Sequence, residues 1–100
     1  MLRHRVHLSD QVHRAQDLID ARYTSALRLS DLARSVGISE RTLTRRFVQA
    51  TGLTPLRYQQ TLRVEQAETL IAQGTTVESA ARRVGFEDAR MLRRLRAASR

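Results

Sequence analysis

Two short groups of side chains combine residue types and spacings that are suited to binding a polyanion. They are Arg41, Thr44 and Arg45 in the first half of the chain, and Arg90, Arg93 and Arg94 in the second. Positions three and four residues apart share one face of a helix. The planar guanidinium of arginine donates paired hydrogen bonds to a phosphate or to the edge of a guanine. Both groups therefore favour contact with nucleic acid.

The charge of the whole chain points the same way. Its 100 residues include 18 basic residues, all arginine, and 10 acidic ones, for a net charge of +8. Genomic base composition is an alternative explanation for the choice of arginine over lysine, but it does not explain the net charge. A basic module of this size usually binds a polyanion, and nucleic acid is the commonest one.

Other chemistries find little support in the sequence. There is no cysteine, which excludes disulfides and thiolate metal sites. His4, His7 and His13 lack companion ligands, so we predict no metal and no cofactor. We do not expect an enzyme, because no phosphate loop, carboxylate pair or nucleophile elbow is present. The longest apolar run, 70–72, cannot span a membrane, and the N-terminus lacks a signal-peptide core. We therefore expect a cytoplasmic protein without membrane contact.

Apolar residues recur at intervals of three and four along the chain, which predicts an all-α fold. Six helices are expected, over about 9–23, 31–36, 40–51, 55–73, 76–84 and from 87 or 88 to the C-terminus. Ser30, Ser39 and Thr54 are predicted N-caps, and Thr75 with Glu78 forms a predicted capping box. The helix that begins at 55 is long enough to connect two smaller helical units.

The sequence contains an internal repeat. The stretch 33–39, ARSVGIS, recurs as 81–87, ARRVGFE, at an offset of 48 residues. The first copy places Ala33, Gly37 and Leu43 at the spacing of a helix-turn-helix, with alanine at the helix crossing and glycine at the turn. The predicted core residues are Leu32, Val36, Ile38, Leu43 and Phe47 in the first unit, and Ala81, Val84, Gly85, Phe86, Met91 or Leu92, and Leu95 in the second.

From about Val12 to Leu95 the chain resembles the C-terminal DNA-binding domain of the AraC/XylS family of bacterial transcription regulators. The matching segments are 32–47 (LARSVGISERTLTRRF), 52–58 (GLTPLRY), 62–70 (LRVEQAETL) and 80–86 (AARRVGF). The resemblance implies two homeodomain-like helix-turn-helix subdomains joined by the long helix, with recognition helices in successive major grooves. The sequence is also similar to the subgroup with an amidotransferase-like sensor domain.

The expected organisation is an N-terminal tail at 1–8, a first subdomain at 9–53, the connector helix at 54–74 and a second subdomain at 75–100. The second subdomain stops short of the family's final helix. Two registers stay open for its recognition helix. The internal repeat buries Met91 and Leu95, whereas the family pattern buries Leu92 and places Arg96 at an aromatic position.

The resemblance also implies which residues touch DNA. Arg41 and Arg45 are expected to contact base edges or phosphates, and Thr44 a base or a thymine methyl group. The other predicted contacts are Ser39 at the helix start, the flanking Thr42 and Arg46, and the second set of Ala89, Arg90, Arg93 and Arg94. Ser39 also serves as a cap, and Thr42 and Arg46 could instead touch a neighbouring helix.

The predicted partner is double-stranded DNA, which an isolated monomeric module would bind in a sequence-specific way. The alternative is a helical protein-interaction module that docks on RNA polymerase or on another acidic partner. Regulators of the family often touch the polymerase as well, so the two functions are compatible. The salt dependence of binding distinguishes them, because only the release of counterions from DNA gives a steep dependence.

Overall fold

The computed structural model describes the backbone of residues 2–98 and the side chains of residues 10–98. Within that range all the regular secondary structure is helical, which confirms the predicted all-α fold. The helices are α1 (Leu2–Arg22), α2 (Leu29–Val36), α3 (Glu40–Thr51), α4 (Pro55–Ala72), α5 (Val77–Arg83) and α6 (Ala89–Ala98). No helix in the described part of the chain is both long and apolar enough to cross a membrane.

The first helix begins at Leu2, so the predicted start at Ser9 is wrong. The segment before Ser9 contains neither proline nor glycine, and nothing in it forces the backbone out of helical geometry. Of the expected boundaries, Met1 in the tail and the last two residues of the second subdomain, Ser99 and Arg100, lie outside the described residues.

The chain divides into two compact units. Unit 1 comprises Met1–Arg22 and Leu27–Gln59, and unit 2 comprises Tyr23–Ala26 and Gln60–Arg100. The division falls inside α4, which contributes its first turn to unit 1 and the remainder to unit 2. The short segment 23–26 belongs to unit 2, although it lies between α1 and α2 in the sequence.

Unit 1 is built on a core of aliphatic residues and one phenylalanine. Its buried members are Val12, Ala15, Ile19, Leu32, Ala33, Val36, Leu43 and Phe47. Leu18 and Ile38 pack against this core. Tyr58 meets the Phe47 ring edge-on, with ring centroids 5.4 Å apart, and its hydroxyl donates a hydrogen bond of 3.0 Å to Asp20. The predicted inward faces of α2 and α3 are therefore confirmed.

Unit 2 has a core of smaller side chains. Its buried members are Ala67, Ala80, Ala81, Val84, Phe86, Ala89 and Leu92, and Tyr23 and Leu95 pack against them. Alanine allows helix backbones to approach closely, but each alanine buries little apolar area. Phe86 and Leu92 therefore supply a large share of the apolar burial in this unit.

Two of the predicted caps differ from those observed. Ser30 is not an N-cap, because α2 begins at Leu29 and is preceded by Arg28 without any side-chain cap. Thr76, not Thr75, caps α5 by accepting a hydrogen bond from Ser79 N. Thr75 is already engaged, since its N–H donates to Leu70 O at 3.0 Å and closes α4. A residue that ends one helix in this way is not in position to start the next.

Candidate nucleic-acid interface

The first helix-turn-helix is closed by two backbone hydrogen bonds around Gly37. The Gly37 N–H donates to Arg34 O at 3.2 Å, and the Ile38 N–H donates to Ala33 O at 3.1 Å. Gly37 has a φ of 78°, the left-handed conformation that ends many helices in this pattern. Ala33 is buried at the foot of the turn. The sequence prediction of a glycine corner above a small residue is confirmed here.

The second turn repeats the same bonds 48 residues later. The Gly85 N–H donates to Arg82 O at 3.1 Å, and the Phe86 N–H donates to Ala81 O at 2.9 Å. Gly85 has a φ of 107°. It also has a tighter environment than Gly37, because a Cβ atom at this position would overlap the carbonyl oxygen of Thr24. The second corner therefore requires glycine for two separate reasons.

Beyond the glycine corner the offset between the two units changes from 48 to 49. Ser39 caps α3 by accepting a hydrogen bond from Thr42 N at 3.1 Å. Its counterpart in unit 2 is Asp88, which accepts from Arg90 N at 2.9 Å directly before α6 begins at Ala89. The second turn thus contains one extra residue, Glu87, and the simple repeat offset does not carry over to the recognition helix.

This insertion decides the register of α6. Leu92 is fully buried and corresponds to Leu43 of α3, whereas Met91 is 36% exposed. The register in which Met91 is buried is therefore wrong, because the extra residue in the turn shifts the register of α6 by one residue. Arg96, at the position of the family's aromatic residue, is paired instead with Glu68 at 2.8 Å.

The stripe predicted on α3 is present as an outward face. Arg41 and Arg45 are exposed and Thr44 is half-buried, whereas Leu43 and Phe47 are fully buried on the opposite side. No hydrogen bond or ion pair joins Arg41 or Arg45 to any other described residue. Both guanidinium groups are therefore free to bind an external anion.

The residues that flank this stripe are engaged within unit 1. The Ser39 hydroxyl donates to the Thr42 hydroxyl at 2.8 Å, in addition to its capping bond. Arg46 donates from Nη1 to the amide oxygen of Gln11 at 2.7 Å, and Gln11 on α1 is buried. The sequence left two roles open for Thr42 and Arg46, contact with DNA or contact with a neighbouring helix. In the structure each of these side chains has a partner within unit 1.

On α6 the three predicted arginines are exposed, but Ala89 is not. Arg90, Arg93 and Arg94 correspond to Arg41, Thr44 and Arg45 at the offset of 49, and all three lie on the outward face. Ala89 is 1% exposed and belongs to the core of unit 2. The prediction that Ala89 touches DNA is therefore at odds with the structure, because its methyl group packs inward beside Leu92.

Two of the α6 arginines form ion pairs with acids of the same unit. Arg90 binds Asp88 through Nε at 3.1 Å and Nη2 at 2.8 Å. Arg93 donates from Nη2 to Glu78 on α5 at 2.9 Å. Arg94 has no partner among the described residues. These pairs distinguish α6 from α3, and the sequence analysis did not anticipate them.

The pairing between Asp88 and Arg90 affects the acid–base properties of both groups. Hydrogen bonds from the Arg90 side chain and backbone lower the pKa of the Asp88 carboxyl. The carboxylate in turn raises the pKa of the Arg90 guanidinium. Each charged form is thus favoured by the other, and the pair is ionised at neutral pH.

Arg63 on α4 has a structural role beside the second turn. Its Nε donates to Tyr23 O at 2.6 Å and its Nη2 donates to Ser25 O at 3.1 Å. The guanidinium also lies 5.4 Å from the centre of the Phe86 ring, within the range of a cation–π contact. Partial burial lowers the pKa of Arg63. The segment 23–25 is thereby fixed beside the Gly85 corner.

A tandem of glycine-cornered helix pairs with outward arginines defines the class of helix-turn-helix DNA-binding proteins. Comparison with known proteins narrows this class. Residues 32–98 match the family described as "Helix-turn-helix domain". The chain is 35% identical over 80 residues to the uncharacterized HTH-type transcriptional regulator YbfI of Bacillus subtilis (strain 168). That match covers 80% of this chain and 29% of the regulator. The chain belongs to the AraC-type helix-turn-helix family, whose members are DNA-binding transcription regulators.

Proposed function

We propose that this chain binds double-stranded DNA in a sequence-specific way, with α3 and α6 each entering a major groove. The observation that carries the proposal is the guanidinium groups of Arg41 and Arg45, which have no partner among the side chains at 10–98 and lie on the face of α3 opposite its buried residues. A recognition helix needs this arrangement, because one face must pack on its own unit while the other reaches the base edges.

The side chains of α3 divide into two roles. Arg45 and Arg41 read base edges or bind the neighbouring phosphates, and Thr44 contacts a base or a thymine methyl group. Ser39 is exposed at the N-terminus of α3 and binds a phosphate there. Arg46 has a positioning role, because its hydrogen bond to Gln11 links α3 to α1. In unit 2 the equivalent contacts come from Arg90, Arg93 and Arg94.

The module acts by binding alone, as a monomer, without a catalytic step or a cofactor. Among the side chains at 10–98, no group of three or more metal-ligating residues lies together. A contact with RNA polymerase is compatible with the same module and is proposed as a second interaction. The relation to regulators that carry an amidotransferase-like sensor remains a prediction.

Selection of bound duplexes from random DNA tests the proposal directly. We expect enrichment of a defined sequence, and an affinity that falls with a log–log salt slope of about −5 to −7 if ~6–8 phosphates are neutralised. Failure to enrich any sequence, together with a nearly flat slope, would instead favour docking on a protein.

The substitution Arg45→Ala tests the role of a single side chain. If Arg45 reads a guanine, its loss should cost about 1–3 kcal/mol of affinity for the selected site and relax selection at one position. A loss of equal size on random DNA would reassign Arg45 to a phosphate contact. Arg57→Ala is a matched control, because Arg57 is an exposed arginine on α4 outside both recognition helices.

A further inference from the structure

The two recognition helices differ in what their arginines bind when no DNA is present. On α3, Arg41 and Arg45 have no acidic partner among the described residues. On α6, Arg90 and Arg93 are held by Asp88 at 2.8 Å and by Glu78 at 2.9 Å. Before either of these arginines can bind a phosphate, it must release a carboxylate of its own unit.

Both pairs are accessible to solvent and can therefore exchange. The Arg93 and Glu78 side chains are 58% and 50% exposed, and those of Arg90 and Asp88 are 83% and 41% exposed. Exposed ion pairs contribute little stability, so DNA is able to displace the carboxylates.

We propose that Glu78 and Asp88 are intramolecular competitors of DNA that lower the affinity of the second recognition helix. This inference rests on the proposed function, because it assumes that α6 binds DNA through these arginines. Arg41 and Arg45 of unit 1 have no acidic partner among the described residues, whereas two of the three exposed arginines on α6, Arg90 and Arg93, are already neutralised. The contribution of unit 2 to binding is thereby kept smaller than the charge of α6 suggests.

The substitution Glu78→Gln tests the proposal in the whole chain. Binding to the duplex selected by the wild type should tighten about twofold to fivefold, the range expected for the loss of one exposed ion pair. The salt slope should become steeper by up to ~0.9, because one more phosphate is neutralised without release of an internal acid. Unchanged or weaker binding would overturn the proposal.

Glu65→Gln is the matched control for the change in net charge. Glu65 is an exposed acid of unit 2, and its carboxylate has no partner among the described residues. If Glu65→Gln tightened binding as much as Glu78→Gln, the effect would come from overall charge, and the proposal would be wrong.

A double-mutant cycle with Arg93→Gln isolates the pair itself. In the Arg93→Gln background, the gain from Glu78→Gln should disappear, since no guanidinium is left to be released. Persistence of the full gain would contradict the proposal.

Asp88→Ser provides a second, independent variant. Serine retains an oxygen that can cap α6 while it removes the charge that holds Arg90, so binding should again tighten about twofold to fivefold. Thermal unfolding of each variant shows whether the fold is retained. If the wild type binds no duplex, the proposed function fails as well. If it binds and neither variant tightens, only the competition is refuted.

Discussion

The two glycine corners permit a paired experiment in which the same substitution is made in two different environments. Gly37→Ala and Gly85→Ala each place a Cβ atom on a backbone with positive φ, at 78° and 107° respectively. At Gly37 an added Cβ meets no atom of the described residues within 4 Å, whereas at Gly85 it overlaps the Thr24 carbonyl and comes within 2.9 Å of Arg63 Nη2. The substitution should therefore be far more costly at Gly85.

The expected sizes follow from these geometries. At Gly37 only the left-handed conformation is penalised, at about 1–2 kcal/mol. At Gly85 the conformational strain, about 1–3 kcal/mol, is joined by overpacking of about 1–3 kcal/mol. The total of about 2–6 kcal/mol is a large part of the stability of a small domain. The overlap involves backbone, which cannot move away as easily as a flexible side chain.

Hydrogen exchange is the suitable assay because it reports on each unit separately. Gly85→Ala should increase exchange in α5 and α6 by much more than Gly37→Ala increases it in α2 and α3. Thermal unfolding of each variant reports the change in stability of the whole chain. Equal losses for the two variants, or a loss below about 1 kcal/mol for Gly85→Ala, would refute the packing of segment 23–25 against the second turn.

Two further predictions concern α6. Leu92→Ala should lower the free energy of unfolding by about 2–5 kcal/mol because Leu92 is fully buried. Met91→Ala should lower it by less than about 1 kcal/mol. If denaturant unfolding showed the opposite order, the register that buries Met91 would be correct. In an NMR titration, the Asp88 carboxyl should show a pKa below its ordinary value of 3.8. Since Arg90 stabilises the carboxylate of the folded state, this contribution is present above the unfolded pKa and is lost as the pH falls through the folded one. A midpoint at or above the ordinary value would contradict the pairing.

The elements that local sequence specifies were predicted well. The Ser39 cap, the glycine corners and the inward positions of α2 and α3 follow from short-range chemistry, namely side-chain oxygens near free N–H groups and apolar spacing. The errors at Ser30 and Thr75 have a local cause as well. Ser30 is a hydroxyl residue two positions from the observed N-cap, Arg28, and Thr75 is one position from Thr76; sequence patterns place helix ends only to within a few residues.

The sequence could not decide the register of α6, because the two available patterns disagreed by one residue. The longer turn settles it, since Asp88 caps the helix and Leu92 then points into the core. Ala89 was assigned to the contact surface because it lies beside the three arginines in the sequence. In the structure it corresponds to Glu40 of α3, at the first helical position, but it packs inward.

The sequence alone determined the helical class of this protein, its excess of arginine, the repeated glycine-cornered helix pair and the outward stripe of Arg41 and Arg45, because these features depend on residue types and on spacings within single helices. Only the tertiary structure decided which charges remain free. The partners of Arg46, Arg63 and Arg93 lie 35, 38 to 40 and 15 residues away, and no local pattern encodes a contact between residues so far apart in the chain.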